Sequence, residues 1–306
     1  MLMQTHEARL AALRKELERQ GLDGFVIPIS DEHLSEYVGA YAQRLAWLTG
    51  FGGSAGTAAV LRDKAAIFVD GRYTLQVRDQ VDGRLYEYKS VPQDKLADWL
   101  AENAAEGAKI GFDPWLHTSG WVKATAKALE KVGAELVPVE ANPVDAVWQD
   151  RPEPSSAPAF VQDDALAGRS SADKRAEVGE WLKAEKLDAA VISALDSVAW
   201  LLNVRGSDVD RTPVALSYVI AHADGTADWF IAPGKVPPEV AAHLGNAVRV
   251  RPRDTFTAAL AALSGKRVAA DPDRSVAAIF TALEAAGAEV VRATDPVVLP
   301  KAIKNE

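Results

Sequence analysis

Leu10, Leu13 and Leu17 recur at three- and four-residue spacing after Thr5, and this pattern predicts a helix with one apolar face. Thr5 suits the N-cap, and Gly21 suits the first position beyond the C-terminus. A short apolar run over 24–28 predicts a buried strand. Residues 32–50 keep no single period and read as mainly irregular and helical. Two apolar runs, 58–61 and 65–70, flank Arg62-Asp63-Lys64 and predict paired strands. Beyond them the pattern predicts a helix over 72–80, a strand over 84–90 and a helix over 92–105. A strand over 109–112, a helix over 119–132 and a strand over 135–139 complete the first half.

The same rhythm then returns. Leu22-Asp23-Gly24-Phe25-Val26-Ile27 is echoed by Leu187-Asp188-Ala189-Ala190-Val191-Ile192, and Ala46-Trp47-Leu48 by Ala199-Trp200-Leu201. Ala66-Ile67-Phe68-Val69 has a looser echo in Asp228-Trp229-Phe230-Ile231. Predicted helices cover 172–185, 195–203, 237–244, 255–264 and 275–286, with strands over 189–193, 215–221 and 227–231 and short strands later. Alternation of this kind gives an α/β class, with a mixed sheet flanked by helices in each of two tandem copies. Residues 150–159, with three prolines and two serines, read as the linker, so domains are expected over 1–155 and 156–300. Thr294-Asp295-Pro296 reads as a capped helix start, and 301–306 as the opening of a further helix, which fits a cut inside a longer chain better than a natural end.

Bulk properties remove several classes of function. Forty-three acidic against thirty-four basic residues give a net charge of −9, with no basic run to offset it, which disfavours nucleic acid as a partner. The absence of cysteine removes disulfides, thiol catalysis and cysteine zinc sites, and suits a reducing cytoplasm. The N-terminus is charged and lacks an apolar signal core, and no stretch approaches the roughly 18 apolar residues of a spanning helix. A cytoplasmic protein without a membrane partner is the expectation.

Candidate chemistry is sparse. Gly52-Gly53-Ser54-Ala55-Gly56 fits G-x-S-x-G, and 50–55 fits G-x-G-x-x-A. A nucleophile elbow or dinucleotide loop needs a strand before and a helix after, whereas here a helix precedes and a strand follows. A flexible or tightly turned connection is the simpler reading, since glycine admits positive φ at little cost. A hydrolase built on Ser54 is the remote one. His6, His33, His117, His222 and His243 never lie three to five residues apart, so no helix face offers two metal ligands. Asp208 and Asp210 are too few for a hard cation and fit a capped or salt-bridged turn beside Arg205 or Arg211. Gly206 would let the chain reverse there. Arg72, in Asp70-Gly71-Arg72-Tyr73 at a strand end, could clamp a carboxylate bidentately. The local pattern alone favours pairing with Asp70, or a surface position.

Taken together, several stretches resemble the larger, three-domain aminopeptidase P, the Xaa-Pro aminopeptidases of the creatinase and prolidase superfamily. They are Asp31-Glu32-His33-Leu34-Ser35-Glu36-Tyr37, the run from Leu48 to Ala58, Asp70-Gly71-Arg72-Tyr73, Trp148-Gln149-Asp150-Arg151-Pro152, the run from Ala199 to Val209, and Lys301-Ala302-Ile303-Lys304-Asn305. The resemblance implies two tandem, non-catalytic creatinase-N-terminal-like domains ahead of a separate catalytic domain, with 301–306 opening the latter. That absent domain would carry two manganese ions on two Asp, one His and two Glu, and no metal or catalytic residue is expected in this chain. The family removes an N-terminal residue from peptides whose second residue is proline, and the Arg of its Asp-Gly-Arg-Tyr motif contacts bound peptide. Arg72 is therefore the one substrate-binding residue expected here. The implied role is to shape the cleft and gate proline-containing peptides, with this piece monomeric and the complete enzyme homodimeric. The alternative is a free-standing, non-enzymatic peptide-binding or assembly module of the same superfamily.

Overall fold

The leucine stripe at the start of the chain forms α1 (His6–Arg19), and the Thr5 hydroxyl accepts a hydrogen bond from the Ala8 amide at 3.2 Å. Gly21, at φ +69°, takes the left-handed conformation that lets the chain leave the helix. The computed structural model describes residues 5–304 and divides into two compact units. One holds Ala40–Glu153 with the chain up to Asp31; the other holds Glu32–Gly39 with the chain from Pro154 onward.

In the first unit α1 is followed by β1 (Gly24–Pro28), α2 (Arg44–Thr49), β2 (Gly56–Leu61), β3 (Ala65–Val69), α3 (Gln76–Gln80) and β4 (Glu87–Ser90). Then come α4 (Leu96–Asn103), β5 (Lys109–Phe112), α5 (Ser119–Glu130), β6 (Glu135–Pro138) and α6 (Pro143–Val147). The six strands lie in the order β4-β3-β2-β1-β5-β6. The β1–β2 and β2–β3 pairs are antiparallel, and β3–β4, β1–β5 and β5–β6 are parallel. Alternation along β1 sends Phe25 and Ile27 to one face, against Leu10, Leu13 and Leu17. It sends Val26 to the other, against Trp99, Leu100 and Leu129. Both faces are covered, so the central strands read as unbroken apolar runs.

The second unit opens with β7 (Phe160–Val161), α7 (Asp164–Ala167), α8 (Ser171–Ala184), β8 (Ala189–Ile192), α9 (Leu195–Leu202) and β9 (Val204–Arg205). Next are β10 (Ser217–His222), β11 (Ala227–Ile231), α10 (Pro238–Leu244), β12 (Val248–Pro252) and α11 (Phe256–Ala261). It ends with β13 (Arg267–Ala270), α12 (Ala277–Ala285), β14 (Glu289–Arg292) and α13 (Val298–Ala302). Its large sheet runs β12-β11-β10-β8-β13-β14, strand for strand the arrangement of the first, and β7 and β9 pair separately. The echoed segments fall on equivalent elements: β1 and β8, α2 and α9, β3 and β11. Among the described residues no helix is long and apolar enough to cross a membrane.

Several elements are shorter than the sequence pattern predicts. The 72–80 helix is a 3₁₀ turn at Gly71–Tyr73 followed by α3, because Asp70 caps the turn through the Arg72 amide. The 84–90 strand begins at Glu87, because Asp82 holds both the Arg84 amide (2.9 Å) and the Arg84 guanidinium (2.6 Å) in a turn. At the end of the chain, 301–302 finish α13 instead of opening a new helix, and Ile303 is extended. The capped start read at 294–296 is present: Asp295 Oδ1 accepts from the amide of the buried Val297, and α13 begins at Val298. Asn305 and Glu306, part of the expected helix opening, lie outside the described residues.

Candidate functional site

Strand β3 ends at Val69 and delivers Asp70 to the edge of the first unit. The Asp70 carboxylate accepts from the Arg72 amide at 2.9 Å and from Arg72 Nε and Nη2, the latter at 2.7 Å. These bonds hold the Asp70 carboxyl below its usual range. The Arg72 side chain remains 60 % exposed, with Cζ 5.2 Å from the centre of the Tyr73 ring. The guanidinium is thus held on one edge by a carboxylate while standing in solvent, an arrangement able to bind a carbonyl or carboxylate oxygen. The pairing with Asp70, the simpler local reading, is present, and it leaves a ligand role open.

Behind Arg72, Tyr73 fixes the glycine-rich loop. The Tyr73 hydroxyl lies 2.8 Å from Ser54 Oγ, and its ring meets Phe51 edge-on at 5.5 Å. The Ser54 contact holds the Tyr73 phenol below its ordinary value. The loop glycines serve close approach more than turning. A Cβ on Gly53 would lie 2.4 Å from Phe51 Cζ and 2.9 Å from the Tyr73 ring, and one on Gly56 would lie 2.9 Å from Phe51. Positive φ belongs to Gly50, at +86°, which ends α2. Strand β2 follows Ser54, so neither a nucleophile elbow nor a phosphate-cradling helix is formed.

The histidines are dispersed. His117 is buried, stacked 3.8 Å over Trp121, and burial pushes its pKa down to about 3. His222 contacts Asp228 at 2.8 Å, and His243 contacts the Leu202 carbonyl at 3.0 Å. Burial, then Arg9, lowers the His6 pKa. In the second unit His33 stacks on Tyr218 at 4.5 Å. Its Nε2 lies 3.1 Å from Arg253 Nη2, and its Nδ1 lies 2.8 Å from the Ser193 carbonyl. A guanidinium can only donate, so Nε2 accepts and Nδ1–H donates. Arg253 also pairs with Glu32. Contacts spanning about 220 positions in the chain leave no local signal, and sequence reasoning passed over this cluster. It borders a cavity of about 610 Å³ lined also by Tyr37, Leu195, Asp196, Val214 and Arg274.

Asp208 and Asp210 do not form a metal loop. Asp208 is bonded to Lys235 and to the Leu216 amide, so the salt-bridged turn exists but its cation is Lys235, not Arg205 or Arg211. Arg205 instead donates to the Ala199 and Val204 carbonyls. Gly206 serves close approach: a Cβ there would lie 2.7 Å from the Val214 carbonyl oxygen and 2.8 Å from the Ala215 nitrogen. Among the described residues no group of three or more His, Cys, Asp or Glu side chains could hold a metal ion. The described residues do not fit a dinuclear centre.

Comparison with known proteins agrees with the repeated fold. Two family descriptions, both of a creatinase/prolidase N-terminal domain, match residues 9–147 and 150–306. A probable Xaa-Pro aminopeptidase P of Aspergillus clavatus is 38 % identical over 311 residues, covering 97 % of this chain and 47 % of the relative. A second, from Penicillium rubens, is 36 % identical over the same length, covering 97 % and 50 %. The chain spans about half the length of the curated relatives it matches. The crystal structure of an X-prolyl aminopeptidase from Caenorhabditis elegans, described as a cytosolic enzyme with a di-nuclear active site, matches with TM-score 0.91 and 30 % identity. That match covers 99 % of this chain and 52 % of the other. The chain therefore belongs to the creatinase/prolidase N-terminal domain family and carries that domain twice.

Proposed function

We propose that the chain is the non-catalytic, two-domain N-terminal portion of an Xaa-Pro aminopeptidase. In this reading it narrows and gates the approach of proline-containing peptides to a catalytic domain encoded beyond it. The observation that carries the reading is the match of 99 % of this chain to about half of an X-prolyl aminopeptidase, while no cluster able to hold a metal occurs among the described residues. Two manganese ions, when bound in the catalytic half, would supply an activated water and a polarised carbonyl. The residues of this chain would bind and orient.

Domain limits of 1–155 and 156–300, with 301–306 leading into the catalytic half, belong to the same proposal. So do a cytoplasmic location, a monomeric state for this portion alone and a homodimeric complete enzyme.

Arg72 is the residue assigned to substrate. Its guanidinium, steadied by Asp70, would hold a backbone carbonyl or the C-terminal carboxylate of an extended peptide, and would raise the fraction bound in a reactive alignment. In the complete enzyme Arg72→Ala is expected to lower kcat/KM on peptides and leave metal content unchanged. Arg72→Lys is expected to restore part of the loss, because a point charge replaces the planar fork. Unchanged kcat/KM across peptides of several lengths would overturn the assignment of Arg72 and leave the family membership intact.

A further inference from the structure

Both repeats place a pair of side-chain-capped turns after the fifth and sixth strands of the large sheet, and the second has a carboxyl where the first has an amide. In the first, Asp113 follows β5 and its Oδ1 accepts from the Trp115 amide at 2.9 Å. Asn142 precedes α6, and its Oδ1 accepts from the Val144 amide at 3.0 Å. The Asn142 side-chain nitrogen then donates to Asp113 Oδ2 at 2.9 Å, joining the two turns. In the second repeat, Asp271 follows β13 and its Oδ1 accepts from the Asp273 amide at 2.9 Å. Asp295 precedes α13, and its Oδ1 accepts from the Val297 amide at 2.8 Å. Asn142-Pro143-Val144 has become Asp295-Pro296-Val297, so an oxygen stands where the first repeat has an amide donor.

That oxygen is badly placed for a charge. Asp295 is 5 % exposed, and its Oδ2 is buried with no hydrogen-bond partner. The Ser197 hydroxyl of α9 faces it without reaching bonding geometry. Two charged groups face it, Asp271 opposing ionisation and Arg274 favouring it. Arg274 is also drawn to Asp196, 3.7 Å away. Burial outweighs the Ser197 hydroxyl, the Val297 amide and Arg274, and the Asp295 carboxyl is raised above its usual range. Of the two carboxyls Asp271 accepts two backbone amides, those of Asp273 and Asp295, while Asp295 accepts one.

We infer that the Asp295 carboxyl, enclosed beside Asp271 with Oδ2 unpartnered, latches the start of α13, and that its ionisation loosens this helix. The Asp295 carbonyl accepts from the Val298 amide at 3.0 Å, so side chain and backbone together begin α13. Lys301, bonded to Asp196, holds the far end. Ionisation sets a second carboxylate beside Asp271 in a buried site, and the turn relaxes toward water. The first repeat has an amide at this position and cannot respond in the same way. A carboxyl raised in the folded state contributes stability that is complete below the unfolded value of 3.8 and is lost as pH rises through the folded value.

The test follows the Asp295 carboxyl carbon by NMR across pH in the intact chain, together with hydrogen exchange of the α13 amides. Asp295 is expected to titrate above the exposed aspartates, and protection of Val298–Ala302 to fall across that titration after correction for intrinsic exchange. In Asp295→Asn the loss of protection is expected to disappear and the melting temperature to rise at neutral pH but not in acid. Asp271→Asn is expected to move the Asp295 titration toward the ordinary range. Titration of Asp295 with the exposed aspartates, or α13 protection that does not follow it, would overturn the inference. The wild-type titration decides it even if a variant fails to fold.

Discussion

Lys235 and Asp208 meet in an ion pair from which solvent is excluded, their side chains 2 % and 0 % exposed. Lys235 Nζ also reaches the Ser155 carbonyl at 3.2 Å, and Asp208 Oδ2 accepts from the Leu216 amide at 2.7 Å. The pair joins the linker, the loop after β9 and the turn after β11. Removing one member leaves the other charged and buried, which costs about 3–5 kcal/mol. Lys235→Met is therefore expected to lower the second unit's unfolding free energy by that amount in urea titrations. Combining it with Asp208→Leu should recover much of the loss. A Lys235→Met variant as stable as the parent would contradict the burial of this charge.

Gly53 and Gly71 separate two uses of glycine near Arg72. A methyl group on Gly53 would run into Phe51 and Tyr73, whereas Gly71 has nothing within 4 Å of the same position. Gly53→Ala is expected to destabilise the first unit by about 1–3 kcal/mol, as overpacking does. Gly71→Ala should change stability by less than about 0.5 kcal/mol. Equal thermal shifts in the two variants would show that the ring packing does not constrain the loop.

His117 gives the first unit an acid-sensitive core. Burial pushes its folded pKa down to about 3 from 6.5, partly opposed by the Val26 backbone. The folded state thus binds the proton less well than the unfolded chain. The stabilisation is complete above about pH 6.5 and is lost as pH falls toward about 3. Its slope is at most about 1.4 kcal/mol per pH unit. His117→Phe retains an aromatic ring against Trp121, which now stacks with the imidazole at 3.8 Å. The difference in unfolding free energy between parent and variant should slope through this window, and a flat difference would refute the assignment.

Arg72 should matter little to folding. It is 60 % exposed and pairs with the half-buried Asp70, and pairs open to solvent contribute about 0–1 kcal/mol. Arg72→Ala is expected to unfold within about 0.5 kcal/mol of the parent. Under that condition a kinetic defect in the complete enzyme reports on substrate handling. A large loss of stability would instead identify Arg72 as a structural residue.

Much of this fold is legible in the sequence because its signals are local. The Leu10-Leu13-Leu17 stripe, the apolar runs of β1 and β3 and their echoes in β8 and β11 each state their own structure. The motif carrying Arg72 is legible too, as a turn at a strand end. Other features depend on partners far along the chain. Nothing near Glu32 and His33 points to Arg253, and nothing near Asp208 distinguishes Lys235 from the adjacent Arg205 and Arg211. The glycines divide in the same way: the positive φ of Gly50 is a local property, whereas the close contacts of Gly53 and Gly206 exist only once distant side chains and strands have packed.

The central claim is that this chain binds and positions but does not carry the hydrolytic centre. The most direct measurement is hydrolysis of peptides with proline in second position by the purified 306-residue chain, with added Mn²⁺ and with a chelator. No release of the N-terminal residue is expected under either condition. Manganese-dependent cleavage at the Xaa-Pro bond would contradict the account and place a metal site within the chain itself.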